Sequence, residues 1–108
     1  MGTTHDEAEV AQIAALLRQA KVEHGHYEAN VLRGLDPDWS AWYSGYLLAN
    51  GLPQILAKSS APQKVTGNLK ALLLDADTRY PLDAVGDDWP THYARHFLRI
   101  AQGREVGA

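Results

Sequence analysis

The stretch DWSAWYSGYLL, residues 38–48, decides the fold, because the chain repeats its pattern fifty residues later as DWPTHYARHFL, residues 88–98. The two stretches share four of eleven residues: an Asp, a Trp, a Tyr and the last Leu. An Asp can accept hydrogen bonds from the first free amides of a helix, and a Trp beside it supplies a large apolar anchor. The Tyr four residues later lies on the same helical face. Each copy therefore predicts the start of a helix that docks through its aromatic side chains.

Helical spacing of apolar residues extends on both sides of the two copies. It predicts four helices, over about residues 5–32, 38–50, 61–79 and 88–102, with a short helical turn after Pro53. In the first helix Gly34 predicts the end and Gly25 a bend, and the predicted core face is Val10, Ile13, Leu17, Ala20, His24, Tyr27 and Val31. Gly51 and Pro53 predict a sharp end for the second helix. A loop is predicted over RYPLDAVGDD, residues 79–88, because Pro81 and Gly86 disfavour a helix.

No segment alternates apolar and polar residues for long enough to predict a strand. The predicted fold class is all-α, with residues 1–108 forming a single compact four-helix domain. A long helix followed by an aromatic helix, twice over, suggests two helical hairpins related by a pseudo-twofold internal repeat. Chance similarity between two amphipathic helices is the competing interpretation.

The two copies also resemble the paired D-W-x-x-W-Y-A-x-Y-L motifs of a group of small, uncharacterised bacterial proteins. The resemblance covers about residues 24–98. In this chain Ser44 stands at the Ala position of the motif, and His92 replaces the second aromatic residue of the later copy. The resemblance implies an all-helical bacterial protein, and it implies no activity.

Composition restricts the class of protein. The 108 residues suffice for one domain, and 45% hydrophobic with 21% charged residues is ordinary for a soluble protein. The chain has no cysteine, which excludes disulfides and thiolate sites and fits a reducing cytoplasm. A net charge of −3 with scattered basic residues argues against nucleic-acid binding. No apolar run approaches the ~20 residues that cross a bilayer. We therefore expect a cytoplasmic protein that binds neither nucleic acid nor membranes.

The histidines carry the strongest chemical signal in the sequence. His92 and His96 are four residues apart, as are His24 and Glu28, and this spacing places two ligands on one helical face. If the two helices face each other, these four side chains could bind one divalent metal ion, zinc or iron. The alternative is that His92 and His96, in the second copy, are packing groups, because they align with aromatic residues of the first copy.

Aromatic residues form the second candidate site. They could line a pocket beside a carboxylate, or form the centre of a protein interface. The residues of this candidate ligand-binding or interface site are Tyr27, Glu28, Trp39, Trp42, Tyr46, Trp89 and Tyr93. Arg95 and Arg99 could bind an anion, although a solvated helix face is the favoured interpretation.

Other enzyme signatures find no support, since neither a G-x-S-x-G elbow nor a phosphate-binding glycine loop occurs in the sequence. The leading hypothesis is a non-catalytic helical module that forms a homodimer or binds a protein partner through its aromatic faces. The alternative is a small metal-dependent enzyme or ligand-binding protein that uses the His/Glu cluster.

Overall fold

A computed structural model describes residues 3–83 and 88–103, with the backbone alone at 3–6 and 81–83. The predicted all-α class is confirmed, and the described residues contain no strand. Helix α1 continues directly into a short π-helix, in which each turn holds one residue more than in an α-helix. The helices are α1 Thr3–Tyr27, the π-helix Glu28–Leu32, α2 Trp39–Ala49, α3 Leu52–Leu56, α4 Gln63–Thr66, α5 Leu69–Asp83 and α6 Trp89–Ala101.

The longer helices enclose one apolar core. Helix α1 packs against α6 and α2, and α5 packs against the same two helices. Ion pairs Glu7–Arg95 and Arg18–Asp88, at 3.1 and 2.8 Å, show that α1 and α6 are antiparallel. Full burial of one large apolar side chain stabilises a fold by roughly 1.5–3 kcal/mol, so the core supplies most of the favourable free energy. Its fully buried members include Ile13, Leu17, Leu47, Leu52, Leu56, Leu73 and Phe97.

The predicted core face of α1 holds as far as His24. Val10, Ile13, Leu17 and Ala20 are buried with it, and Tyr27 is half-buried. Val31 is 66% exposed, so its assignment to the core is wrong. The reason is the π-helix, because its extra residue per turn rotates the side chains that follow Glu28 away from the α-helical face.

The sequence predicts that Gly34 ends the first helix, but the residue with the left-handed conformation at this end is Arg33. Arg33 adopts the left-handed conformation, with φ 56°, and its amide donates to the Glu28 carbonyl. The Gly34 amide donates to the same carbonyl at 3.1 Å. At the end of α2 the prediction is better, since Gly51 has φ 125° and Leu52 is fully buried.

The two Asp-Trp copies begin helices by different means. Asp88 caps α6, since its Oδ1 accepts from the Thr91 amide at 3.1 Å. Asp38 makes no side-chain cap, and its predicted capping role is wrong. Instead its amide donates to Asp36 Oδ1 at 2.9 Å, and its carboxylate pairs with Lys70 at 3.2 Å. Asp36 forms the turn that leads into α2, as Asp side chains commonly do two residues before the amide that they accept from.

The predicted third helix, over about 61–79, differs in both bounds. It is divided into α4 and α5 at Gly67. A Cβ atom at this position would lie 2.9 Å from the Gln63 carbonyl oxygen, which is too close for an ordinary contact. Helix α5 then runs through Pro81 to Asp83, into the predicted loop. Because Pro81 has no amide hydrogen, it removes one backbone hydrogen bond from the last turn, and α5 ends two residues later. Gly86, the other predicted breaker, lies outside the described residues.

Replacing Asp88 by Ala should destabilise the protein by about 1 kcal/mol, because the first amides of α6 lose their acceptor. Asp38→Ala is the matched control, and it should change the free energy of unfolding by less than about 0.5 kcal/mol since it removes only an exposed ion pair. Urea unfolding followed by tryptophan fluorescence measures both. Equal effects of the two substitutions would contradict the assignment.

The same comparison has a pH dependence of known sign. Hydrogen bonding to Thr91, and then to Arg18, lowers the pKa of Asp88 from 3.8 to about 2. A carboxyl whose pKa is lower in the folded state stabilises the fold above its unfolded pKa, and that contribution is lost as the pH falls through the folded one. The stability difference between wild type and Asp88→Ala should therefore be full above pH 4 and shrink towards pH 2.

Candidate functional site

His24 lies buried at the end of α1 and is surrounded by aromatic rings. The centroids of Trp42 and Tyr43 are 4.8 and 5.0 Å from the imidazole centroid, and that of Tyr27 is 6.1 Å away. Its Nε2 lies 2.9 Å from Asp36 Oδ2. A carboxylate can only accept, so Nε2 carries the proton and donates it to Asp36.

Asp36 and Glu28 fasten the loop between the π-helix and α2. The Asp36 amide donates to Glu28 Oε2 at 2.7 Å, so both carboxylates have defined partners. The hydrogen bond from His24 is the main cause that lowers the pKa of Asp36, against the opposing effect of burial. Asp36 is therefore ionised at neutral pH, and it holds His24 in one orientation.

Three half-buried rings continue from His24 to the surface, and we call Tyr27, Trp42 and Tyr46 the outer aromatic group. Trp42 stacks on Tyr46 at 5.2 Å with an interplanar angle of 16°. Tyr27 lies 5.9 Å from Trp42 on its other side. Tyr27 of α1 is thus brought together with Trp42 and Tyr46 of α2.

The remaining predicted aromatic residues, Trp39, Trp89 and Tyr93, form with Tyr43 what we call the inner aromatic group. Trp39 meets Tyr43 edge to face at 5.8 Å, and Trp89 meets Tyr93 in the same manner at 5.1 Å. Tyr43 and Trp89 connect the two pairs at 6.3 Å. The inner group therefore joins α2 to α6, and its half-buried Trp rings and buried Tyr rings belong to the packing of the two helices.

Both inner tyrosines remain protonated. Burial, and then the negative charge of Glu28, raises the pKa of Tyr43 to about 12. Burial and Asp77 raise the pKa of Tyr93, whose hydroxyl donates to Asp77 Oδ1 at 3.1 Å. Neither phenol is therefore ionised near neutral pH.

Exposed aliphatic side chains lie on the segment of chain that connects Tyr27 of α1 to α2. Val31 and Leu32, in the π-helix, are 66% and 41% exposed, and Leu35, in the loop held by Asp36, is 89% exposed. With the outer aromatic group they form what we call the apolar end of the protein. A cluster of large exposed apolar residues is typical of an interaction surface.

The four predicted metal ligands do not meet. The His24 imidazole donates to the Asp36 carboxylate, and the Glu28 carboxylate accepts from the Asp36 amide. His92 packs on Tyr80 at 5.4 Å, and His96 Nε2 lies 3.0 Å from Asp75 Oδ2. Within residues 3–83 and 88–103, no group of three or more His, Asp and Glu residues could hold a metal ion. These four residues therefore do not form the predicted shared site, because each imidazole has a neighbour of its own outside its own helix.

Three residues at these sites escape the sequence analysis. They are Asp36, Asp75 and Arg79, none of which the sequence pattern singles out. Arg79 Nε donates to Asp75 Oδ2 at 3.1 Å. The four-residue spacing of Asp75 and Arg79 is a helical ion-pair signal, but it does not reveal that His96 meets them from another helix.

Comparison with known protein families, with characterised proteins and with solved structures found no match for this chain. In the part of the chain that the structure describes, no helix has the length and apolar character required to span a bilayer.

Asp36→Ala should loosen the loop 33–38, because His24 and the Asp38 amide both lose their acceptor. We expect faster hydrogen exchange in the peptide that covers this loop, with unchanged exchange in α6. Asp38→Ala, whose carboxylate pairs only with exposed Lys70, is the control and should leave the loop unaffected. Since the pKa of Asp36 lies below 3.8, the difference should persist at neutral pH and disappear in acid. Unchanged loop exchange in Asp36→Ala would contradict the role of this carboxylate.

Proposed function

We propose that the protein is a non-catalytic helical module that forms a homodimer through its apolar end. The observation that carries this proposal is the exposure of Leu35, 89%, and of Val31, 66%, four residues apart on the segment between α1 and α2. Leaving such side chains in water forfeits roughly 25 cal/mol for each Å² of apolar surface that a partner would cover. A second copy of the chain is the occupant that we propose.

Two features of the apolar end favour self-association over docking to a charged partner. The residues that define it are aliphatic or aromatic, so at these positions an identical surface can pack against it without a complementary charge, and the charge of Arg33 between them is exposed. The two nearest carboxylates, Glu28 and Asp36, are already engaged within the chain. Aromatic residues at the centre of a surface are also typical of interfaces.

The loop that presents Leu35 is held in place before any partner binds. His24, Asp36 and Glu28 form a chain of hydrogen bonds of 2.9 and 2.7 Å beneath it. A surface that is ordered in advance loses less conformational entropy on association. These three residues therefore support the proposed interface indirectly, because they hold the loop that carries Leu35.

We further propose that the chain consists of two helical hairpins related by an internal repeat. Support comes from the Asp-Trp-Tyr order of each copy, with Trp39–Tyr43 and Trp89–Tyr93 both in edge-to-face contact. The resemblance of the paired motif supports a bacterial protein, and the absence of cysteine supports a cytoplasmic one, which recovery in the envelope fraction of the source cells would contradict.

Leu35→Glu should weaken the proposed dimer at least about tenfold, because the substitution places a charge in each half of a twofold contact. Ala11→Glu adds the same charge to an exposed site about 20 Å along α1 from His24 and should leave the dissociation constant unchanged. Light scattering and sedimentation over a range of concentrations measure both. A wild-type protein that stays monomeric at high concentration would refute the proposal, as would equal effects of the two substitutions.

A further inference from the structure

A cavity of about 360 Å³ opens between α4, α5 and α6. This volume lies at the small end of the range for ligand sites. One part of its wall is apolar and another is strongly polar, which is the composition expected of a site that orients a small amphiphilic ligand. Its main lining residues are Leu72, Ile100, Lys64, Asp75, Arg79 and His96.

The polar wall is organised around His96, which is only 1% exposed. Arg99 Nη2 lies 3.5 Å from its Nδ1, and a guanidinium can only donate, so Nδ1 is the acceptor. Burial is the main cause that lowers the pKa of His96, and the charges of Arg99 and Arg79 lower it further against the effect of Asp75. The ring is therefore neutral near neutral pH and carries its proton on Nε2.

The Nε2–H group of His96 is not fully used within the protein. It lies 3.0 Å from Asp75 Oδ2, but off the direction of an aligned hydrogen bond, and among the described residues it has no other acceptor. The same Asp75 oxygen accepts from Arg79 Nε at 3.1 Å. A buried donor without an aligned acceptor costs free energy, and an oxygen atom entering the cavity would remove this cost.

Positive charge predominates in the cavity. Lys64 and Arg79 line the cavity with one carboxylate, Asp75, and Arg99 adds a further cation beside His96. The ring cannot serve as a general base, since Nδ1 accepts from Arg99 and Nε2 bears the proton. The arrangement thus suits the binding of an anion and not proton abstraction.

We propose that this cavity binds a small organic carboxylate, whose charged group lies against Lys64, Arg79 and His96 Nε2–H and whose apolar body packs on Leu72 and Ile100. The site is on α4, α5 and α6, away from the residues of the apolar end. Its occupancy is independent of the proposed dimer, and either proposal can fail without the other.

The test is a nuclear magnetic resonance titration of the whole chain with phenylacetate, phenylacetamide and inorganic phosphate. Phenylacetate should shift the His96 ring signals and the methyl signals of Leu72 and Ile100 along one saturable curve. The neutral amide should bind at least about tenfold more weakly because it lacks the charge, and phosphate because it lacks the apolar body. Equal binding of phenylacetate and phenylacetamide, equal binding of phosphate, or no saturable shift would overturn the proposal.

Charge-removing variants locate the site. Arg79→Gln and Lys64→Gln should each weaken phenylacetate binding at least about fivefold, a loss of roughly 1 kcal/mol. Arg95→Gln removes the same charge from α6, where its side chain pairs with Glu7, and should leave the affinity unchanged. Lys64 is exposed, so its variant keeps the test valid if Arg79→Gln fails to fold. Full affinity in the Lys64→Gln variant, or an equal loss in Arg95→Gln, would refute the assignment.

Discussion

The rest of the arrangement depends on the contacts that the buried ring of Tyr43 makes. Its ring lies 5.0 Å from His24 on α1, 5.5 Å from Trp42 on its own helix and 6.3 Å from Trp89 on α6. Three helices therefore meet at one side chain that is 8% exposed. Because each ring restricts the position of the next, the contact aligns the inner aromatic group in the core and the outer aromatic group at the surface.

Features that depend on a few neighbouring residues could be predicted from the sequence. Asp88 caps its helix, Gly51 takes a positive φ, and the apolar spacing of α1 identifies its buried face as far as His24. Val31 and Asp38 were misjudged because their surroundings are set at longer range. The π-helix shifts the face on which Val31 lies, and the Asp38 carboxylate pairs with Lys70 on α5 instead of accepting from the first amides of α2.

The candidate sites show the same division between residue type and partner. The sequence identifies His24, Glu28 and His96 as chemically notable, but their partners depend on how the chain returns. Asp36 reaches His24 because the loop after the π-helix folds back on α1. Asp75 reaches His96 because α5 and α6 are antiparallel, a register that also pairs Asp77 with Tyr93. The spacing of residues within one helix does not reveal how that helix is aligned with its neighbour.

That register also explains why two histidines with metal-ligand spacing belong to different environments. Four residues along α6 correspond to five residues along the facing helix, so His92 meets Tyr80 where His96 meets Asp75. A cation shared by both would need a further ligand between them, and Arg79 already binds the carboxylate of Asp75 there. Around His96 the charges of Arg99 and Arg79 act against the charge of Asp75, which disfavours a metal ion at this imidazole. The balance between these charges therefore bears on the class of ligand that this helix face can bind, and the proposed carboxylate depends on it.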